Sequence, residues 1–116
     1  MDGEPADKSE SLPADFPLFS LESFLASTKR RTAHDRYRLI ALVLAHFLQD
    51  HKLTTRTILA PHEAIANSFA IRVADLTQEG IGFYRIAEQK WLGAIDRGTS
   101  PTDTTILVKV LRKVRA

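Results

Sequence analysis

The sequence predicts a mainly α-helical domain of four or five helices that ends in an αα-hairpin, with a short two-stranded β ribbon as a minor element. Three observations predict this class. Residues 33–50 are apolar around most of a helical circumference, residues 77–101 carry the start and stop signals of two helices joined by a short connection, and residues 106–115 place apolar and basic side chains on opposite sides. A chain of 116 residues is long enough to bury such a core without disulfides.

The N-terminal stretch differs in composition from the rest. Residues 1–15 are rich in Asp, Glu, Ser and Pro, which predicts a disordered acidic tail before a single helical domain at 16–116. Residues 1–22 hold six acids and one lysine, a net charge of −5, whereas the remainder holds fifteen bases and eight acids, a net charge of +7. This asymmetry suits a polyanionic partner that competes with the acidic tail for the basic part of the domain. The simpler interpretation is a solvated tail that aids solubility, attached to a domain with an ordinary surface.

Two helices are predicted in the first half of the domain. Ser20 is a suitable N-cap, and Phe19 and Phe24 flank it with the spacing of a hydrophobic staple, which predicts a short helix over 21–28. The apolar positions of residues 33–50 fill an arc wider than half a turn, so this segment is predicted to be the central helix, buried against several neighbours.

Residues 53–76 are compatible with helix or strand. The threonine-rich part of 52–60 favours loop or short strand, because β-branched residues disfavour helix. Pro61 is predicted to open a short helix, PHEAIAN, since proline favours the first helical position. Residues 69–74 alternate with strand period and are interpreted as extended, although Ile65, Phe69 and Val73 also match helical spacing.

The end of the chain predicts the αα-hairpin. Thr77 caps a helix that Gly98 terminates, and Ser100 with Pro101 is predicted to open the last helix, with Asp103 at its third position. With only three residues in the connection, the two helices are expected to be antiparallel neighbours.

Catalytic and metal-binding patterns are not found in this sequence. His46 and His51 are five residues apart, which places them about 140° apart on a helix and not on one face. The chain has no cysteine and no GxSxG elbow, and Gly80 and Gly82 form only a fragment of a dinucleotide fingerprint. We therefore expect no enzyme activity, no metal and no cofactor.

The same sequence carries no membrane or export signal. Its longest apolar run, residues 39–45, is far shorter than the roughly 20 residues that a bilayer requires. Its N-terminus is acidic and lacks the apolar segment of a signal peptide. These features predict a cytoplasmic location without a membrane partner.

Glu88 falls inside the predicted apolar arc of the 77–97 helix. A carboxylate there needs a partner, because an unpaired buried charge is costly, and an arginine or a tyrosine hydroxyl at the core edge is the expected one.

The opposite face of that helix holds the candidate binding site. Gly82 and Gly93 are eleven residues apart and align at three turns, with Ile86 and Gln89 flanking them and Arg85 farther out. A glycine inside a helix costs about 1 kcal/mol relative to alanine, and close approach of another backbone is one reason to tolerate that cost. The cost is also tolerated where it does not matter. Where a backbone does approach, the approaching segment is either part of this chain or another molecule.

These observations predict a non-catalytic binding protein, of the regulatory or immunity type found in bacteria, that inhibits a partner protein by occluding it. The alternative is a nucleic-acid-binding regulator, favoured by the basic ridge of the last helix: Lys109, Arg112, Lys113 and Arg115.

Overall fold

The computed structural model describes residues 12–27 and 31–116. Its elements, in chain order, are β1 (Pro17–Ser20), α1 (Leu21–Ala26), α2 (Arg31–Asp50), β2 (Ala70–Arg72), a 3₁₀ helix (Val73–Asp75), α3 (Gln78–Asp96) and α4 (Thr105–Arg115). The predicted class is confirmed, since the domain is mainly helical with a small antiparallel two-stranded sheet. Most of the predicted acidic tail, residues 1–11, lies outside the described residues.

The central position predicted for 33–50 is confirmed by α2. Ala41, Leu44, Ala45 and Leu48 are each exposed by 1% or less. The ring of Phe47 stacks on that of Phe83 in α3, with centroids 5.4 Å apart. A helix with so wide an apolar surface must be covered on several sides, and α1 and α3 both pack against it.

The first helix starts as its capping residues predict. The Ser20 hydroxyl accepts a hydrogen bond from the Ser23 amide at 3.3 Å, and the rings of Phe19 and Phe24 lie 5.3 Å apart as a hydrophobic staple. The preceding strand β1 pairs with β2, with Phe19 opposite Ile71 and Ser20 opposite Ala70. The extended conformation preferred for 69–74 is therefore confirmed at Ala70–Arg72, after which the chain turns into the 3₁₀ helix.

The short helix predicted to begin at Pro61 is wrong. Residues 60–69 form turns and irregular structure, and within 61–67 only Ile65 is partly buried. One apolar contact is too little to stabilise a seven-residue helix, because an isolated helix of that length is unstable in water. The chain before it is held from α2, where the Gln49 side chain donates to the Leu59 carbonyl at 2.8 Å and accepts from the Leu59 amide at 2.9 Å.

The predicted cap and stop of α3 are confirmed. The Thr77 hydroxyl accepts a hydrogen bond from the Gly80 amide at 3.0 Å. Gly98 adopts φ +114°, and the amides of Gly98 and Thr99 donate to the carbonyls of Ile95 and Ala94, both at 3.0 Å. This pattern is a Schellman motif, which needs a left-handed residue where glycine stands.

The predicted start of α4 at Ser100 and Pro101 is wrong, since the helix begins at Thr105. The Asp103 amide donates to the Ser100 carbonyl and closes a turn, and the Asp103 carboxylate then accepts from the Thr105 amide at 3.0 Å and the Thr105 hydroxyl at 2.7 Å. These bonds hold the pKa of Asp103 below its usual value. Asp103 therefore precedes the helix and does not occupy its third position.

The αα-hairpin itself is confirmed, with a longer connection. The Arg115 guanidinium at the end of α4 forms an ion pair at 3.1 Å with Glu79 in the first turn of α3, so the two helices run antiparallel. The Trp91 indole donates to the Asp103 carbonyl at 3.3 Å and fastens the connection to α3. Among residues 12–27 and 31–116, every helix falls short of the combined length and apolarity needed to cross a bilayer.

Candidate functional site

The candidate site occupies the outer side of α3. We call Gly82, Arg85, Ile86, Gln89 and Gly93 the glycine face; at about 100° per residue they share an arc of about 100°. Arg85, Ile86 and Gln89 are exposed, and the two glycines are half-buried. The structure thus places all five predicted residues together on one side of one helix.

The two glycines of this face are not packed against another part of the described chain. A Cβ atom built on Gly82 would meet nothing within 4 Å, and one built on Gly93 would meet only the Arg97 guanidinium, at 3.4 Å. Close approach by another segment of this chain, one of the expected reasons for these glycines, therefore does not apply among the described residues.

Gly80 is the glycine within α3 that the fold requires, and sequence reasoning missed this role. A Cβ on Gly80 would lie 2.2 Å from the Leu53 carbonyl oxygen, a distance that atoms do not tolerate. Leu53 also accepts a hydrogen bond from the Thr77 amide at 2.9 Å, so the loop after α2 is seated on the first turn of α3. The fragment GxG thus combines one packed glycine and one open glycine.

Ile86 supplies the apolar part of the glycine face. It is 36% exposed and, with Phe16, is one of two large apolar side chains exposed among the described residues. A single exposed isoleucine is ordinary. Its position between two open glycines makes a shallow, partly apolar surface to which another backbone has access.

The four residues of the basic ridge predicted on the last helix lie in three different environments. Arg115 is engaged by Glu79 and by the His51 carbonyl, to which it donates at 2.6 Å. Arg112 is exposed. Lys109 and Lys113 line a groove of about 300 Å³ between α3 and α4.

We call this depression the cationic groove, and α3 contributes its other wall. It is lined by Lys90, Arg97, Ile106, Lys109, Val110 and Lys113. Lys90 and Arg97 were not predicted to act with the last helix. Lys90 lies on α3 and Arg97 directly follows its last residue; their seven-residue spacing keeps them on the same side, where they line the groove together with residues of α4.

The cationic groove adjoins the glycine face. Ile86, Lys90 and Gly93 fall within an arc of about 60° on α3, and Arg97 is the residue that directly follows this helix. The Arg97 guanidinium, 3.4 Å from the Cβ position of Gly93, forms the boundary between them. The two features are therefore parts of one continuous surface.

The tyrosine hydroxyl predicted as a partner of Glu88 is confirmed, but the burial implied by the position of Glu88 in the apolar arc is wrong. Glu88 is exposed, and its carboxylate lies 3.4 Å from the Tyr84 hydroxyl, which also lies 3.0 Å from the Leu18 carbonyl as donor. Burial, and then the negative charge of Glu88, raise the pKa of Tyr84 above its ordinary value. A tyrosine that keeps its proton is a hydrogen-bond donor that links α3 to β1.

The histidines do not assemble into a metal site within the part of the chain that the structure describes, where no three His, Asp or Glu side chains are grouped for an ion. The His51 ring packs on the Phe47 ring at 4.3 Å. His46 lines a cavity of about 510 Å³ with Asp50, Arg56 and several threonines. Arg56 is engaged there by the buried Asp75 carboxylate, 2.8 Å away.

Comparison with known proteins adds no information about function. No family model, curated protein or solved structure matches this chain.

Proposed function

We propose that this protein is a non-catalytic binding protein of the regulatory or immunity type, which inhibits a partner protein. The glycine face of α3 docks against the partner and occludes the surface with which the partner acts. The observation that carries the proposal is the openness of Gly82 and Gly93, which have no neighbour from the described chain that requires a glycine. Each costs about 1 kcal/mol in a helix interior, and a partner backbone that approaches closely accounts for that cost.

The surroundings of the glycines support a protein partner. Ile86 offers an apolar contact at the centre of the face, and exposed polar side chains, Arg85 and Gln89, lie beside it. Protein interfaces combine such an apolar centre with a polar rim. A partner can use the open glycines because a missing side chain lets the two backbones come close together.

The alternative, a nucleic-acid-binding regulator, draws on Lys109 and Lys113, which are joined by Lys90 and Arg97 in the cationic groove. Two features weigh against it. Arg115 is already occupied by Glu79, and the six residues that line the groove include no aromatic ring on which a base could stack. We rank this function second.

The test begins with a photo-reactive residue at exposed Gln89, used to cross-link the protein to its partner in extract of the source organism. The same residue at exposed Ala64, in the loop before β2, is the control. The proposal expects a protein that cross-links from position 89 and not from position 64.

The second stage compares the affinity of the purified partner for the parent protein, Gly93→Arg and Ala64→Arg. Gly93→Arg adds a long charged side chain where only the flexible Arg97 end is near, and arginine is the better helix former, so folding should survive. We expect Gly93→Arg to lose binding and Ala64→Arg to keep it. Normal binding by Gly93→Arg, or its failure to fold, would contradict the proposal.

A further inference from the structure

The cationic groove concentrates positive charge without internal neutralisation. Lys90, Arg97, Lys109 and Lys113 line it, and none of the four forms an ion pair with a described residue. Three arginines elsewhere in the described chain are paired: Arg38 with Asp35, Arg56 with Asp75 and Arg115 with Glu79. The groove therefore presents four charges that are available to a ligand carrying acids.

The floor of the groove is apolar. Ile106 is half-buried, and Val110 is 2% exposed. The volume is about 300 Å³, and a cavity of about 150 Å³ is enough for a benzene molecule. The groove thus has room for one or two apolar side chains, so its ligand combines a small apolar element with negative charge.

The spacing of the four bases matches the repeat of an α-helix. Lys109 and Lys113 are separated by about 6 Å along α4, and Lys90 and Arg97 by about 10 Å along α3. A ligand helix with acids at positions i, i+4 and i+7 presents carboxylates at the same intervals, and its apolar side chains lie between them. Amphipathic helices are known to bind proteins by laying their apolar face into an apolar groove.

We infer that the cationic groove binds an acidic amphipathic helix, whose leucine-type side chains rest on Ile106 and Val110 while its carboxylates meet the four bases. This inference rests on the proposed function, because it names the chemistry of the partner segment that docks beside the glycine face. Charge complementarity selects this occupant, since the groove offers only cations and apolar surface.

The probe is a synthetic 18-residue helical peptide with leucines along one face and glutamates flanking them. Its affinity is measured by fluorescence anisotropy at 50 mM salt. Three control peptides isolate each contribution: a scrambled sequence of the same composition, a version with glutamine for glutamate, and a version with serine for leucine. We expect each control to bind at least tenfold more weakly than the parent peptide.

Matched protein variants locate the site. Lys109→Gln together with Lys113→Gln removes two groove charges, and Lys52→Gln together with Arg112→Gln removes two exposed charges that do not line the groove. We expect at least a fivefold loss of peptide affinity for the first pair and less than a twofold loss for the second. Equal losses would mean that net charge, not the groove, attracts the peptide, and would overturn the inference.

Two further arms test other anionic ligands. The inference is overturned if duplex DNA, or vesicles containing phosphatidylserine, bind more tightly than the peptide and their binding depends on the same lysines. The groove is then a site for nucleic acid or for a membrane surface, respectively. The failures are separable, because the groove variants and Gly93→Arg are measured independently. A partner that binds the lysine variants normally but not Gly93→Arg would refute the inference and leave the proposed function standing.

Discussion

Substituting alanine for Gly80 and for Gly82, two residues apart on α3, should change stability in opposite directions. At Gly80 the new Cβ would lie 2.2 Å from the Leu53 carbonyl oxygen. The obstacle is backbone, so either the loop or the helix must move. Overpacking of this kind costs about 1 to 3 kcal/mol, and the upper end applies because no flexible side chain can yield.

The shift at Gly80 also disturbs the helix start. The Leu53 carbonyl accepts a hydrogen bond from the Thr77 amide, and the Thr77 hydroxyl caps α3 by accepting one from the Gly80 amide. Loss of such a cap costs about 1 kcal/mol. The better helix propensity of alanine offsets about 1 kcal/mol of this loss in the free energy of unfolding. We therefore expect Gly80→Ala to lower the free energy of unfolding by about 3 kcal/mol.

Gly82→Ala is the matched control. Its Cβ would enter open space, so only the propensity gain remains, and the free energy of unfolding should rise by about 0.5 to 1 kcal/mol. Urea denaturation of the parent and both variants, with a common slope, measures the two values. A Gly80→Ala protein as stable as the parent would refute the assignment of Gly80 as the close-packed glycine.

Three further predictions concern the core, Tyr84 and nucleic acid. Leu44→Ala should lower the free energy of unfolding by about 2 to 5 kcal/mol, and a change below about 0.5 kcal/mol in denaturant melts would deny α2 its central position. Because folding raises the pKa of Tyr84, the protonated tyrosine stabilises the fold fully below the unfolded pKa of about 10, and this stabilisation declines progressively as the pH rises from there toward the folded pKa. Melts from pH 8 to 11 should therefore show a decline in stability that is smaller in Tyr84→Phe; equal declines would contradict this. Anisotropy at about 150 mM salt should detect no sequence-specific DNA binding; a footprint that Lys109→Gln with Lys113→Gln abolishes would reverse the ranking of the two functions.

Sequence by itself determined the features whose partners lie within a few residues. Ser20 and Thr77 cap helices, and Gly98 ends one, because the atoms involved belong to the same turn. The apolar arc of α2 was equally visible, since burial of a long periodic segment depends little on which neighbours cover it. The glycine face was found for the same reason, as a periodicity on one helix.

Only the tertiary structure decided what depends on distant residues. Gly80 and Gly82 look alike in sequence, and Leu53, which meets one and not the other, lies more than twenty positions earlier. Pro61 had a helix-starting signal, but residues 61–67 found too few apolar contacts to form a helix. Lys90 and Arg97 lie across one groove from Lys109 and Lys113 because α3 and α4 pack antiparallel. The periodicity of either helix alone does not specify how the two helices pair.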